Sequence, residues 1–291
     1  MEPLAQNAPR RRFGRLRTRL LLTSALAVAV AGGTIALATP ASAVERGLAP
    51  TAANITGNGS FAVTNSAISN PSGFGGGRVY TPNTAGRYPV IAVSPGFTAT
   101  WSSIDWIGPR LASWGFVVVG IETNSTLDQP ASRGNQLLNA LDWAVNRAPA
   151  AVRDKVDGNN RGVAGHSMGG GGTLEALKAG GSNVKAGVAL APWNTDKNWS
   201  DVSKPVYIVG GSADTVAPPA QHSIPFITTL TGPRVYAEIS GGSHFFPQSA
   251  NPIASRALVS WFKRFLENDS RFTQFARNNP GGTSDFRRFN F

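Results

Sequence analysis

An α/β fold with a mostly parallel sheet is the class this sequence predicts, and three observations predict it. Short runs rich in Val, Ile and Ala recur along the chain, segments of helical spacing separate them, and no repeat or low-complexity linker interrupts the alternation. The 291 residues are 41% hydrophobic and only 15% charged, enough apolar material for a substantial core and too little charge for a disordered chain. Gly 33 and Pro 20 together imply many tight turns, and the absence of cysteine excludes disulfides, thiolate metal sites and a cysteine nucleophile.

The elements are expected in this order. Residues 61–65 and 77–81 alternate in polarity and read as an antiparallel start. Pro89-Val90-Ile91-Ala92-Val93 reads as a buried strand ending at Ser94-Pro95-Gly96, followed by a helix carrying Ile107 and Leu111 that Gly115 stops. The run 116–121 is continuously apolar and β-branched, as a parallel strand buried on both faces would be. Ser132 is expected to cap a helix through Leu137, Leu138, Leu141 and Val145. A short strand over 162–165 runs into a turn and a helix to Lys178. Strands over 186–191, 206–210 and 235–239 complete the sheet, and long helical patterns follow two of them. The last of these puts Leu258, Phe262 and Leu266 on one face.

The +11 net charge is concentrated at the start of the chain. Six arginines and Glu2 lie within the first 19 residues, an apolar run follows from Leu20 to about Ala38, and Ala41-Ser42-Ala43 offers small residues for cleavage. This three-part layout predicts a secretory signal peptide over 1–43, with an uncleaved membrane anchor as the competing reading. The string Arg-Arg-x-Phe beginning at Arg10 leaves twin-arginine export and an ordinary basic leader both open. Removal of 1–43 lowers the net charge to +6 with no block of like charge, which argues against a nucleic-acid partner. No later hydrophobic run is long enough to cross a bilayer, so residues 44–291 are expected as one catalytic domain, secreted and without stable membrane insertion.

Chemistry-bearing residues gather in loops after strands. Gly165-His166-Ser167-Met168-Gly169 fits G-x-S-x-G between an expected strand and helix, a context that turns a weak pattern into a strong one. The glycines permit a sharp turn that presents Ser167, and the helix start adds a positive dipole end near a developing oxyanion. A serine hydroxyl needs a base that is itself oriented. Of three histidines, His166 reads as local packing or a substrate contact and His222 as an exposed helix start, which leaves His244 after the strand 235–239. Asp214 stands likewise after 206–210, whereas its rivals Asp196 and Asp201 follow no strand directly. The order Ser167, Asp214, His244 is the one expected of an α/β-hydrolase fold, a mostly parallel central sheet flanked by helices. The oxyanion donors are expected to be the amides of Met168 and Phe97, the latter in Ser94-Pro95-Gly96-Phe97-Thr98. Only residues 194–204 separate Trp193 from the next strand, too few for a lid domain, so the site is expected to be open and lined by Phe97, Trp193, Val216 and Phe245. An open apolar groove suits an extended, poorly soluble ester.

The segments 94–100 (Ser-Pro-Gly-Phe-Thr-Ala-Thr), 165–174, Ala-Pro-Trp (191–193), Lys-Asn-Trp-Ser (197–200), 213–218 and Ser243-His244-Phe245 resemble those of actinobacterial cutinases, a group that includes the polyester (PET) hydrolases. The resemblance runs from about Phe61 to Phe275. It implies hydrolysis of cutin, short- and medium-chain esters and synthetic polyesters by a monomer, with Ser167 as nucleophile, His244 as base and Asp214 as its orienter. A two-step acyl transfer by this triad needs no metal or organic cofactor. Two departures stand out. The C-terminal disulfide usual in the family is missing, its half-positions falling near Ala276 and Asn290, which forfeits up to ~3 kcal/mol. His166 matches the cutinase form of the elbow, while Gly241-Gly242 is closer to PET-adapted relatives. A secreted acyltransferase would use the same triad but pass the acyl group to a carbohydrate.

Overall fold

In this computed structural model the described residues are 44–291, so the expected signal peptide over 1–43 lies outside them. The strands are β1 (Val63–Ile68), β2 (Gly76–Pro82), β3 (Tyr88–Ser94), β4 (Val117–Glu122), β5 (Val156–His166), β6 (Val184–Leu190), β7 (Val206–Gly211), β8 (Arg234–Ile239) and β9 (Thr283–Phe289). They form one sheet in the order β1-β2-β4-β3-β5-β6-β7-β8-β9. β4, β3, β5, β6, β7 and β8 run parallel, while β1, β2 and β9 are antiparallel at the two edges. The helices are α1 (Ile107–Ser113), α2 (Pro130–Asp142), α3 (Ala150–Arg153), α4 (Met168–Ala179), α5 (Ser223–Thr229), α6 (Pro252–Leu266) and α7 (Thr273–Arg277).

The period of two along each strand divides the core. Ile91 and Val93 on β3 join Val118, Ile107, Leu111, Leu258 and Phe262, so α1 and α6 cover that face. Val90 and Ala92 join Val117, Val119, Leu137, Leu141, Leu174 and Phe226, so α2, α4 and α5 cover the other. This is the α/β-hydrolase arrangement expected from the sequence.

Five details differ from the expectation. Strand β5 runs over eleven residues, Val156–His166, against the short strand expected over 162–165. Helix α2 starts at Pro130 with Gln129 as its cap residue, because proline supplies the φ of a first helical position; Ser132 lies inside, where its hydroxyl accepts from Gln136 Nε2 at 3.0 Å. The helix loosens into a π turn over Trp143–Arg147, which contains Val145. The segment after β7 yields only the seven-residue α5. Strand β9 had no counterpart in the sequence reading: Asp285, Arg287 and Arg288 break its apolar pattern, and it lies at the sheet edge.

The loops that carry the sequence-predicted site residues leave the carboxyl ends of parallel strands, where an open α/β sheet forms its crevice. β3 leads to Pro95–Thr98, β4 to 123–128, β5 to Ser167, β6 to Trp193, β7 to Asp214 and β8 to His244. No helix interrupts the connection from β6 to β7; it is tied to the body by Asn194 Nδ2 donating to Glu175 Oε1 (2.9 Å) and Trp199 N–H to Thr229 Oγ1 (3.0 Å). Among the described residues no helix is long and apolar enough to cross a membrane.

Candidate active site

Ser167 sits between β5 and α4 at φ 57°, ψ −120°, a backbone strain that only a crowded turn can hold. The crowding is visible at two glycines. A methyl group at Gly165 would lie 2.3 Å from the Gly169 carbonyl oxygen, and one at Gly169 would lie 2.3 Å from that of Ser94. Any side chain there would open the turn, so the G-x-S-x-G glycines are a packing requirement. The Ser167 N–H donates to Leu190 O at 3.0 Å and its carbonyl accepts from Gly171 and Trp193, which fixes the turn on β6 and α4.

The hydroxyl of Ser167 donates to His244 Nε2 at 2.8 Å, and His244 Nδ1–H donates to Asp214 Oδ2 at 2.8 Å. All three side chains are buried. The loops that bring Asp214 and His244 together are joined to each other, with Ala213 N–H donating to Gly242 O at 2.9 Å. Burial pushes the Asp214 carboxyl up, but the His244 hydrogen bond and the amides of Ala217 (2.7 Å) and Val216 (2.9 Å) outweigh it and hold the group below the ordinary carboxylate range. Asp214 is therefore ionised and aimed at His244. The rival carboxylates are elsewhere: Asp196 and Asp201 face Lys178 at 4.0 and 2.8 Å.

Among the described residues no acceptor takes the backbone N–H of Phe97 or of Met168. Met168 opens α4, where the first amides have no intrahelical partner. Phe97 borders a cleft of about 480 Å³ lined also by Gly96, Thr98, Ser167, Val216, His244 and Phe245 among others. Phe97, Val216 and Phe245 are 42%, 50% and 55% exposed, so the cleft is open and its apolar rim faces solvent. Trp193, expected on the same wall, is not part of that lining; it lies beside it, half-buried, with its N–H on Ser167 O at 2.9 Å.

His222 corrects the sequence reading. It does stand at the start of α5, but it is only 6% exposed. Its ring lies 5.7 Å from that of Trp193 and 5.8 Å from that of Phe226, and its Nδ1 accepts from Lys197 Nζ at 2.9 Å. Burial, then the neighbouring Lys197 charge, push its pKa down to about 4, so it is neutral with the proton on Nε2. Its covering residues lie on distant segments, which local polarity does not reveal. His166 is buried as well, and its pKa is lowered to about 4 by burial and by the nearby His244.

No group of three or more His, Asp or Glu side chains among the described residues is placed to hold a metal ion. A serine, a buried imidazole and an ionised carboxylate in hydrogen-bonded series form an arrangement suited to acyl transfer.

Comparison with known proteins gives a consistent result. A family model described as PET hydrolase-like matches residues 38–290. A cutinase of Thermobifida fusca (strain YX) is 43% identical over 285 residues, 95% of this chain and 94% of its own. A bis(hydroxyethyl) terephthalate hydrolase of Streptomyces coelicolor is 47% identical over 238 residues, 79% of this chain and 76% of its own. Cutinase 1 of Thermobifida cellulosilytica is 45% identical over 241 residues, 81% of this chain and 92% of its own.

Proposed function

From the premise that this chain belongs to the PET hydrolase-like family and is a carboxylic ester hydrolase, we propose that it is a secreted polyesterase using a Ser167-His244-Asp214 acyl-enzyme mechanism. Residues 1–43 form its export signal, and residues 44–291 act as a single monomeric catalytic domain without metal or organic cofactor. The unbroken hydrogen-bond series from Ser167 through His244 to Asp214 is the observation that carries the reading.

In the first step His244 Nε2 takes the Ser167 proton as the hydroxyl oxygen attacks the ester carbonyl. The carbonyl oxygen becomes an oxyanion, held by the amides of Phe97 and Met168, and Asp214 stabilises the imidazolium. The tetrahedral intermediate collapses, the ester C–O bond breaks, and His244 protonates the leaving alcohol. Water then attacks the acyl-enzyme with His244 again as base, releasing the acid and restoring Ser167. Loss of one oxyanion donor typically costs ~3 kcal/mol of transition-state stabilisation.

The open apolar rim of Phe97, Val216 and Phe245, with Trp193 beside it, favours extended polyester segments over small polar esters. The substrate range therefore covers cutin-like and synthetic polyesters, PET included, and short- to medium-chain soluble esters. The test is incubation of residues 44–291 with amorphous PET film and, separately, a soluble short-chain ester, beside Ser167→Ala. Aromatic acid released by wild type alone supports the reading. Cleavage of the soluble ester without release from film reduces it to a general esterase, and an active Ser167→Ala overturns the mechanism.

A further inference from the structure

Arg133 lies near the start of α2 and is fully buried, at 0% exposure. Among the described residues no carboxylate forms an ion pair with it. Its guanidinium instead donates to three main-chain carbonyls: Nε to Asp128 at 2.7 Å, Nη1 to Pro95 at 3.1 Å and Nη2 to Thr126 at 2.8 Å. Burial pushes its pKa down to about 10 against the pull of the Asp128 charge. A buried cation without a paired anion is costly, and an apolar side chain of similar length would fill the space without that cost. Packing alone does not account for an arginine here.

The three carbonyls account for it. Pro95 stands two residues before Phe97. The Thr126 carbonyl that accepts from Arg133 also accepts the N–H of Thr98, one residue after Phe97, at 2.8 Å. The chain on both sides of Phe97 is thus fastened to one guanidinium, directly on one side and through Thr126 on the other. Thr98 adopts φ 60°, a region that β-branched residues avoid, so something outside the segment must hold it. The segment has no room on its other side, since a methyl group at Gly96 would lie 3.0 Å from Ser167 Cβ.

We propose that Arg133 is a positioning residue of the oxyanion site, its guanidinium setting the direction of the Phe97 N–H by gripping the Pro95 and Thr126 carbonyls. The proposal rests on the reading of Ser167 as nucleophile and Phe97 as oxyanion donor. Lysine keeps the charge but has no planar fork to serve three carbonyls at once.

The test uses residues 44–291 and a soluble short-chain p-nitrophenyl ester. For Arg133→Lys, kcat should fall about 10- to 100-fold with KM within about threefold, and Arg133→Met should fall at least as far. The acid limb of the kcat pH profile should stay in place, because the His244–Asp214 pair is untouched; a variant that merely loosens the fold would move it or lower Tm alone. A folded Arg133→Lys with wild-type kcat overturns the proposal, whatever its Tm. If neither variant folds, Asp128→Ala decides. Asp128 Oδ2 organises the same loop by accepting from Ser125 N–H (2.9 Å) and Gln136 Nε2 (2.8 Å). A kcat loss at constant KM supports the role of the grip, and an unchanged kcat overturns it. Ser167→Ala run in parallel separates the two readings, since activity there would sink the serine mechanism itself.

Discussion

His166 Nε2–H donates to the backbone carbonyl of His244 at 2.9 Å, and the two rings lie 4.9 Å apart. The residue before Ser167 thus holds the loop that carries His244. His166→Phe keeps a ring of similar bulk and removes the bond. A net loss of about 1 kcal/mol is expected, which corresponds to a Tm lower by roughly 2–4 °C for a domain of this size. The kcat on a soluble ester should fall severalfold as the His244 loop loosens. Calorimetry and steady-state kinetics on the same preparation check both.

The buried histidines make the fold acid-sensitive. His166 and His222 both have pKa values near 4 in the folded protein against 6.5 when exposed. Between those values the unfolded chain binds more protons than the folded one, so stability rises with pH across the window and is lost as pH falls from about 6.5 towards 4. Each site adds up to ~1.4 kcal/mol per pH unit to the slope. His222→Gln should flatten the dependence of Tm on pH in this range; an unchanged slope would mean that His222 takes up its proton without unfolding.

The apolar rim should matter more for a solid than for a solute. Val216→Ser and Phe245→Ser each remove half-exposed apolar area that a polymer segment would cover. Such area is worth on the order of 1–1.5 kcal/mol per side chain, or about tenfold. Release from film should fall by that factor, while turnover of p-nitrophenyl acetate should drop less than threefold. Equal losses on the two substrates would place these residues in the chemistry instead.

A buried ion pair lies away from the cleft. Lys263 Nζ donates to Glu267 Oε2 at 2.6 Å, neither side chain reaches solvent, and Lys263 also donates to Arg46 O at 3.1 Å. Burial raises the Glu267 carboxyl to about 6 in spite of Lys263 and Arg46. Removing only the lysine should cost up to about 3–5 kcal/mol, because buried Glu267 loses its hydrogen-bonded partner and keeps only the longer Arg46 contact at 3.5 Å. The double variant Lys263→Met/Glu267→Gln should recover most of this in denaturant unfolding, while esterase activity per folded molecule stays constant.

The legible parts of this chain were those written in local pattern. The β-branched runs at 89–93 and 116–121 gave β3 and β4, and the glycines flanking Ser167 gave the elbow, because buried parallel strands and sharp turns constrain residue type at each position. The places of His244 and Asp214 after β8 and β7 bring their side chains into one hydrogen-bonded series with Ser167. The features that escaped depend on segments distant in sequence. His222 looks like a surface residue until Trp193 and Lys197 fold over it, and Arg133 looks like one face of an amphipathic helix until three backbone carbonyls meet its guanidinium. Backbone acceptors carry no sequence signature, so a residue that binds only main chain is invisible beforehand. Strand β9 escaped for the opposite reason: an edge tolerates Asp285, Arg287 and Arg288, and so loses the pattern that marks a strand.

Among the described residues the connection from β6 to β7 places no helix over Ser167. A trough without a roof does not require a substrate to be threaded in by its end; it can settle on a strand anywhere along its length. Scission at interior bonds follows, so the mean molar mass of a polyester would drop early, with monomer accumulating only once the fragments had become short.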